Sequence, residues 1–297
     1  MKILVIYGGT SNERDVSIKS GKSIITSLSK RNNVFGYDFD GNYSKLEKML
    51  KHYDLVFNAL HGGEGENGVL QKFLEDLNFL FTGSSSVSSK RCMNKNISKE
   101  ICFKNSVLTP KWFYFEDEVD FKKIDSCNFK SVVIKPADEG SSIGLSIIRN
   151  FNSTKKNEFD KAVLKCKKIT NKILIEEYVN GRELTVGILN DATLPVLEII
   201  PDNQYYDYEC KYSKGKSKYV VPAKIKESLS NELKKISLKV FKLLDCSNYA
   251  RVDFRLSNDN KIYFLEINTL PGFTSTSLFP KAANAILINY DDVLSKI

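Results

Sequence analysis

Residues 1–83 alternate short apolar runs with segments of helical period, and this alternation restricts the fold more than any other feature. KILVIY reads as a strand and Val16 to Ser29 as a helix. VFGYDF reads as a second strand, followed by a short helix near Tyr43 to Leu50. DLVFNAL is a third strand, Val69 to Leu77 a helix, and NFLFTG closes the unit. Strands joined through helices return as parallel neighbours, so a doubly wound, mostly parallel sheet is expected. The first apolar run is too short for a signal-peptide core and is expected to be a buried strand.

The pattern then changes. The Ser-rich stretch TGSSSVSSK reads as a boundary, with a helix from Met93 to Asn105 beyond it. SVVIKP and LSIIR flank ADEGSSIG, a hairpin with a polar, Gly/Ser-rich tip. ILIEEYV, RELTVGIL and LPVLEII follow as strands, then a polar loop from Asp202 to about Val220. Leu229, Leu233, Ile236, Val240 and Leu244 form one stripe of an amphipathic helix. The strands ARVDFRL and YFLEIN and a terminal helix end the chain. The class is therefore α/β at the start and α+β in the C-terminal two thirds. The expected domains are 1–87, 88–180 and 181–297.

Composition removes several functions. The six cysteines include no CxxC pair and there are two histidines, so a zinc site is not expected and thiols in a reducing cytosol are. No apolar run approaches a membrane span. The net charge of +8 comes from lysines dispersed over most helices, without a basic run interleaved with aromatics. Nucleic acid and membrane are therefore not expected partners, whereas a positive field favours small anionic substrates. Two motifs mislead. Gly63, Gly65 and Gly68 have G-x-G-x-x-G spacing, but the acidic residue expected about twenty positions later is missing. SGKS at 20–23 lies inside a helical pattern and lacks the earlier glycine of a phosphate loop.

The chemistry gathers at the last strand pair. Ala250, Val252, Phe254 and Leu256 share one face, and Arg251, Asp253 and Arg255 the other. If SNDN turns symmetrically about Asn258 and Asp259, Arg251 lies opposite Glu266 and Asp253 opposite Phe264. Phe264, Glu266 and Asn268 would then share a face. Asp253, Glu266 and Asn268 become three hard oxygen donors, a set suited to magnesium and substrate phosphate. Lys135 ends a buried-looking strand just before the Gly/Ser loop, where Ser141, Ser142 and backbone N–H groups can close over phosphates. Lys95 stands near a helix start, and IEEYVNGREL supplies Glu176 and Glu183 for an adenine and a ribose. Together these describe an ATP site between two β-rich lobes.

The stretches GGTSNERDVSIKSG, ALHGGEGENGVLQ, MNK, VIKPADEGSSIG, LIEEYVNGRELTV, YYDYECKY, ARVDF and LEINTLPGFTSTS occur in one order along the chain. With them the chain resembles the D-alanine–D-alanine ligases of the ATP-grasp superfamily over essentially its whole length. The resemblance implies an ATP-grasp fold and ligation of two D-alanine molecules through an acyl phosphate for peptidoglycan synthesis. Another D-alanyl dipeptide or a depsipeptide is the alternative product. It assigns Asp253, Glu266 and Asn268 to two magnesium ions, with manganese as a substitute. Lys95, Lys135 and Lys211 become phosphate lysines, with Ser142 beside them. Glu176, the Val179 backbone and Glu183 become adenosine contacts. Glu13 would hold the first D-alanine's ammonium near His61, with Ser141 and Tyr212 hydrogen-bonding to Glu13. Arg251 and the Gly272 N–H would stabilise the oxyanion, and Ser277 and Leu278 would hold the second substrate. A cytoplasmic homodimer is the implied setting. Leu270 stands where a serine is common. Arg255 stands where an apolar residue is common, and HGGEGENG differs in lettering from the usual HGRGGEDG.

Overall fold

The computed structural model describes residues 1–202, 216–274 and 277–297. The N-terminal unit is built from β1 (Lys2–Gly8), α1 (Arg14–Leu28), β2 (Asn33–Phe39), α2 (Tyr43–Leu50), β3 (Leu55–Asn58), α3 (Gly63–Glu66) and α4 (Val69–Asp76). Its three strands pair in parallel in the order β2-β1-β3. The central strand is buried on both faces, as an apolar run between helices must be. The SGKS glycine has a packing role: a Cβ on Gly21 would lie 2.4 Å from the Tyr7 Cβ, so glycine lets α1 approach β1. NFLFTG does not become a strand. It makes one parallel bridge, Phe81 to Val56, because the chain turns away directly afterwards.

The Ser-rich stretch is helical rather than an open linker. It forms α5 (Ser86–Met93), and Asn94 then caps a second helix, α6 (Lys95–Lys104). The serines are there for close packing and capping. The Ser85 side chain accepts from the Ser88 N–H, and Ser86, Ser88 and Ser89 are buried. The Ser86 backbone N–H donates to Glu75 at 2.7 Å, and the Ser88 hydroxyl to the Leu244 carbonyl at 2.8 Å.

The middle unit holds β4 (Trp112–Glu116), α7 (Phe121–Asp125), β5 (Ser131–Pro136), β6 (Ser146–Arg149), α8 (Lys156–Lys167) and β7 (Lys172–Glu177). Its four strands are antiparallel in the order β4-β7-β5-β6. The last unit adds β8 (Gly181–Leu189), β9 (Ala192–Thr193), β10 (Leu197–Pro201), β11 (Ser217–Val220), α9 (Glu227–Leu243), β12 (Tyr249–Ser257), β13 (Ile262–Asn268), α10 (Leu278–Asn284) and α11 (Tyr290–Lys296). It forms a six-stranded sheet in the order β11-β10-β8-β12-β13, with β9 on β8. The end of the expected polar loop is thus strand β11. Leu233, Val240 and Leu244 of the α9 stripe join the buried core under this sheet, together with Cys92, Cys102 and Val107 from the α5–α6 region. A second core joins Ile3, Val5 and Ile24 to Leu189, Tyr249, Phe273 and Phe279, which fastens the N-terminal unit to the six-stranded sheet.

Candidate active site

A cleft with about 890 Å³ of empty volume, partly open to solvent, separates the four-stranded and six-stranded sheets. Lys95, Lys135, Ser142, Glu176, Val179, Glu183, Asp253 and Glu266 all line it. On the first wall, β5 is paired on both sides and buried along its length, so alternate residues Val133 and Lys135 face the cleft. Lys135 Nζ lies 2.5 Å from Glu176 Oε1, and Lys99 Nζ lies 2.8 Å from Glu176 Oε2. Burial would raise the Glu176 carboxyl, but the charges of Lys135 and Lys99 outweigh it and hold the group below its ordinary range.

The second wall is the β12–β13 pair, and its register differs from the symmetric turn. Phe254 pairs with Phe264, but Asp253 pairs with Glu266 and Arg251 with Asn268, with a bulge between. One extra residue, Leu265, stands on β13 where the ladder shifts. Phe264 and Ile267 therefore both enter the core, while Leu265 and Glu266 both face the cleft. The bulge puts the two carboxylates directly across from each other. Arg251 donates to both Asp253 oxygens, at 2.9 and 2.8 Å, the Thr185 hydroxyl donates at 2.5 Å, and the Asn268 amide at 3.0 Å. Lys95 Nζ donates to the Glu139 carbonyl at 2.6 Å and lies 3.3 Å from Glu266. Burial, then the charge of Asp138, pushes the Glu139 carboxyl up.

The tip between β5 and β6 reaches the N-terminal unit. Ser141 and Ser142 have φ of 51° and 58°, a left-handed conformation that costs a non-glycine residue roughly 1 kcal/mol or more. The Ser141 hydroxyl donates to Glu13 Oε1. Glu13 is 6% exposed and stands immediately before α1, enclosed by glycines: a Cβ on Gly62 would come within 2.8 Å of its Oε2, and one on Gly140 within 3.0 Å. His61 is buried next to it, with Nε2 3.0 Å from the Ser20 hydroxyl and Nδ1 3.6 Å from Glu66.

At the other end of the cleft, Arg255 spans the turn into β8. It donates to the carbonyls of Val179 at 3.2 Å and Gly181 at 2.9 Å and to the Tyr178 hydroxyl at 3.0 Å, and it lies 3.3 Å from Glu183. The residue marked in the sequence as a departure thus fixes the expected adenosine contacts. Beyond β13, Gly272 is confined by Ser277, whose Oγ would lie 2.9 Å from an added Cβ. Ser277 Oγ accepts from the Thr274 N–H at 3.1 Å. Leu278 opens α10 with its side chain in the core and its backbone N–H in the first turn, where no intrahelical carbonyl accepts it. Lys211 and Tyr212 lie outside the described residues.

Sequence reasoning missed Lys99, Glu66 and Glu139. For Lys99 the signal was present: it follows Lys95 by four positions in KNISK and so shares its helix face.

Among the described residues, no group of three or more His, Cys, Asp and Glu side chains could hold a metal. The candidate donors are two carboxylates and an amide. That set suits magnesium, which takes few protein ligands and completes its shell with water and phosphate oxygens. Cationic side chains already rest on both carboxylates, Arg251 on Asp253 and Lys95 near Glu266, as expected where negative charge is concentrated. The residues fit the ion.

The family model for the D-ala D-ala ligase C-terminus matches residues 103–297. The chain is 40% identical to the D-alanine–D-alanine ligase of Aquifex aeolicus, with 100% of this chain and 99% of that protein aligned. The solved D-alanine–D-alanine ligase from Bacillus anthracis complexed with ATP superposes with a TM-score of 0.86 at 32% identity, covering 100% of this chain and 96% of that one. The VanG D-Ala:D-Ser ligase from Enterococcus faecalis gives 0.84 at 26% identity, with 100% and 98% covered. The parallel N-terminal sheet and the two antiparallel sheets around the cleft are the expected ATP-grasp architecture. By its full-length similarity and its fold, the chain belongs to the D-alanine–D-alanine ligase family.

Proposed function

We propose that this protein joins two molecules of D-alanine into D-alanyl-D-alanine, using ATP, for peptidoglycan synthesis. One observation carries the reading: lysines and an acid on one sheet face two carboxylates on another across a single cleft, and a hairpin tip closes from that cleft onto Glu13. The first D-alanine carboxylate attacks the γ-phosphoryl group of ATP, giving an acyl phosphate and ADP. The second D-alanine's amine then attacks the acyl carbon, and phosphate leaves.

In this reading Glu13 holds the first ammonium, with His61 beside it, and Ser141 and Tyr212 fix Glu13. Lys95, Lys135, Lys211 and Ser142 hold phosphates by fixed charge and hydrogen bonds, which dominate phosphoryl transfer. Glu176, the Val179 backbone and Glu183 contact adenosine. Arg251 and the Gly272 N–H face the oxyanion, and Ser277 and the Leu278 backbone hold the second carboxylate. Asp253, Glu266 and Asn268 would hold two magnesium ions, with manganese as a substitute, which would supply neutralising charge for the phosphoryl transfer. The hairpin tip excludes water that would hydrolyse an acyl phosphate.

The domain division is 1–87, 88–180 and 181–297, with α5 and α6 docked on the last unit's core. The enzyme acts in the cytoplasm as a homodimer, without nucleic acid or membrane. No helix among the described residues is long and apolar enough to cross a membrane.

The test is ADP release by the purified protein with ATP and magnesium, with D-alanine, D-serine and D-lactate offered as acceptors and products weighed by mass spectrometry. D-alanine-dependent ADP release with D-alanyl-D-alanine as the main product is expected. A preference for D-serine or D-lactate would replace the product by another dipeptide or a depsipeptide. Absence of D-alanine-dependent ATP cleavage would overturn the reading.

A further inference from the structure

Beneath the cleft lies a charged group that the proposed reaction does not use. Lys99, on α6, has no exposed surface at all. Its ammonium lies 2.8 Å from Glu176 Oε2 and donates to Thr109 Oγ1 at 2.6 Å. The Thr109 hydroxyl donates onward to the Phe264 carbonyl at 3.0 Å, at the start of the β13 bulge. The Trp112 ring of β4 lies 5.6 Å away. A wholly buried ammonium is costly unless something requires it.

What requires it is the ratio of charges. Glu176 is one carboxylate between two lysines, and Lys135 Nζ sits 2.5 Å from its other oxygen. Without Lys99 that carboxylate would have a single counter-ion. Moving Lys135 onto a phosphate would then strand a buried anion, which costs several kcal/mol. With Lys99 in place, Lys135 is the surplus cation of the triad and can change partners.

We infer that Lys99 is a positioning residue that keeps Glu176 neutralised, so that Lys135 can pass from that carboxylate to a nucleotide phosphate. This rests on the nucleotide reading of the cleft. Every charged or titratable group facing Lys99 agrees. Glu176 on β7 attracts it and Lys135 on β5 repels it. Cys102 on its own helix is pushed up to about 12, chiefly by burial, and stays a neutral thiol. Burial first, and then Lys135 against the pull of Glu176, lowers the Lys99 ammonium to about 8. Phosphates arriving beside the triad raise it again. Nucleotide affinity is therefore full below pH 8 and falls above it, by up to tenfold per pH unit.

The experiment measures binding of ADP with magnesium by titration calorimetry between pH 7 and 9.5, where ADP keeps one charge state because a phosphate's last proton leaves near pH 6. The full-length wild type, Lys99→Met and the double variant Lys99→Met/Glu176→Gln are compared. Wild-type affinity should fall tenfold or more between pH 8 and 9.5. Lys99→Met should bind at least tenfold more weakly at pH 7 and show no such fall. The double variant has no buried anion to hold Lys135, and its glutamine keeps a carbonyl oxygen for the adenosine contact assigned to Glu176, so it should bind ADP clearly more tightly than Lys99→Met and also be flat with pH. A methionine that merely spoiled packing would not be rescued by a second substitution at Glu176. Wild-type-like affinity and pH profile in Lys99→Met would overturn the inference alone. Failure of the wild type to bind ADP would overturn the nucleotide reading and this inference with it.

Discussion

Two antiparallel hairpins bound the cleft, and they use opposite ends. In β5–β6 the tip is the working end: residues 137–145 carry two left-handed serines, and Ser141 reaches across to Glu13 in another unit. In β12–β13 the tip at 257–261 is exposed, and the paired ends carry Asp253, Glu266 and Asn268. A hairpin tip is held by few contacts and can move, whereas residues inside a ladder are fixed by hydrogen bonds on both sides. A part that must open for substrate belongs at a tip. A part that must hold charges at fixed separation belongs in the ladder.

The sharpest break of that contrast is Glu266→Gln. The β13 carboxylate stands directly across from Asp253 and within 3.3 Å of Lys95. Losing its charge leaves the ladder intact but removes half of the carboxylate pair. Turnover should fall by roughly a thousandfold, the several kcal/mol of charge stabilisation a metal-bound transition state needs, while the melting temperature is unchanged. Near-normal turnover in a stably folded variant would take Glu266 out of the chemistry.

A smaller effect is expected at the tip of the first hairpin. Ser141→Ala removes one hydrogen bond to a buried carboxylate, worth about 1.5 kcal/mol. KM for the first D-alanine should rise roughly tenfold, with little change in melting temperature. Ser141→Gly relieves the positive φ but also lacks the hydroxyl, so it should match the alanine variant. If it instead behaves like wild type, backbone relief rather than the bond to Glu13 governs closure.

The two hairpins also differ in how far the sequence disclosed them. ADEGSSIG announced itself, since glycines and serines between alternating strands leave little else to build. The β12–β13 pair was legible as a polar face with carboxylates but not in its register. YFLEIN alternates cleanly on paper, and Leu265 fits an apolar position whether or not the strand bulges there. Only the packing of both Phe264 and Ile267 into one core forces the extra residue. Similar reasons hid other parts. Serines in GSSSVSSK look like a linker by composition, yet their small side chains let α5 pack and cap. Lys99 looks like one more surface lysine in a chain rich in them, and only the acid at Glu176, far away in sequence, explains its burial. The part of the polar loop that holds Lys211 and Tyr212 lies outside the described residues.

The smallest effect should come from the tip of the second hairpin, and there the contrast is most exposed to failure. Asp259 accepts from the Ser257 hydroxyl at 2.5 Å and pairs with Lys261 at 2.8 Å. The bond from Lys261, then that from Ser257, holds its carboxyl below the ordinary range. A depressed carboxyl adds stability above its unfolded pKa and loses it as pH falls through the folded one. Exposed pairs contribute little, so Asp259→Ala should lower the melting temperature by no more than about 2 °C at neutral pH. That gap should persist down to about pH 5 and close below about pH 4. Turnover should stay within about twofold of wild type, because the ladder, not the tip, holds Asp253 and Glu266 in register. A tenfold loss of activity would mean that the 257–261 turn sets the geometry at the far end of its strands. The two hairpins would then work by the same end after all.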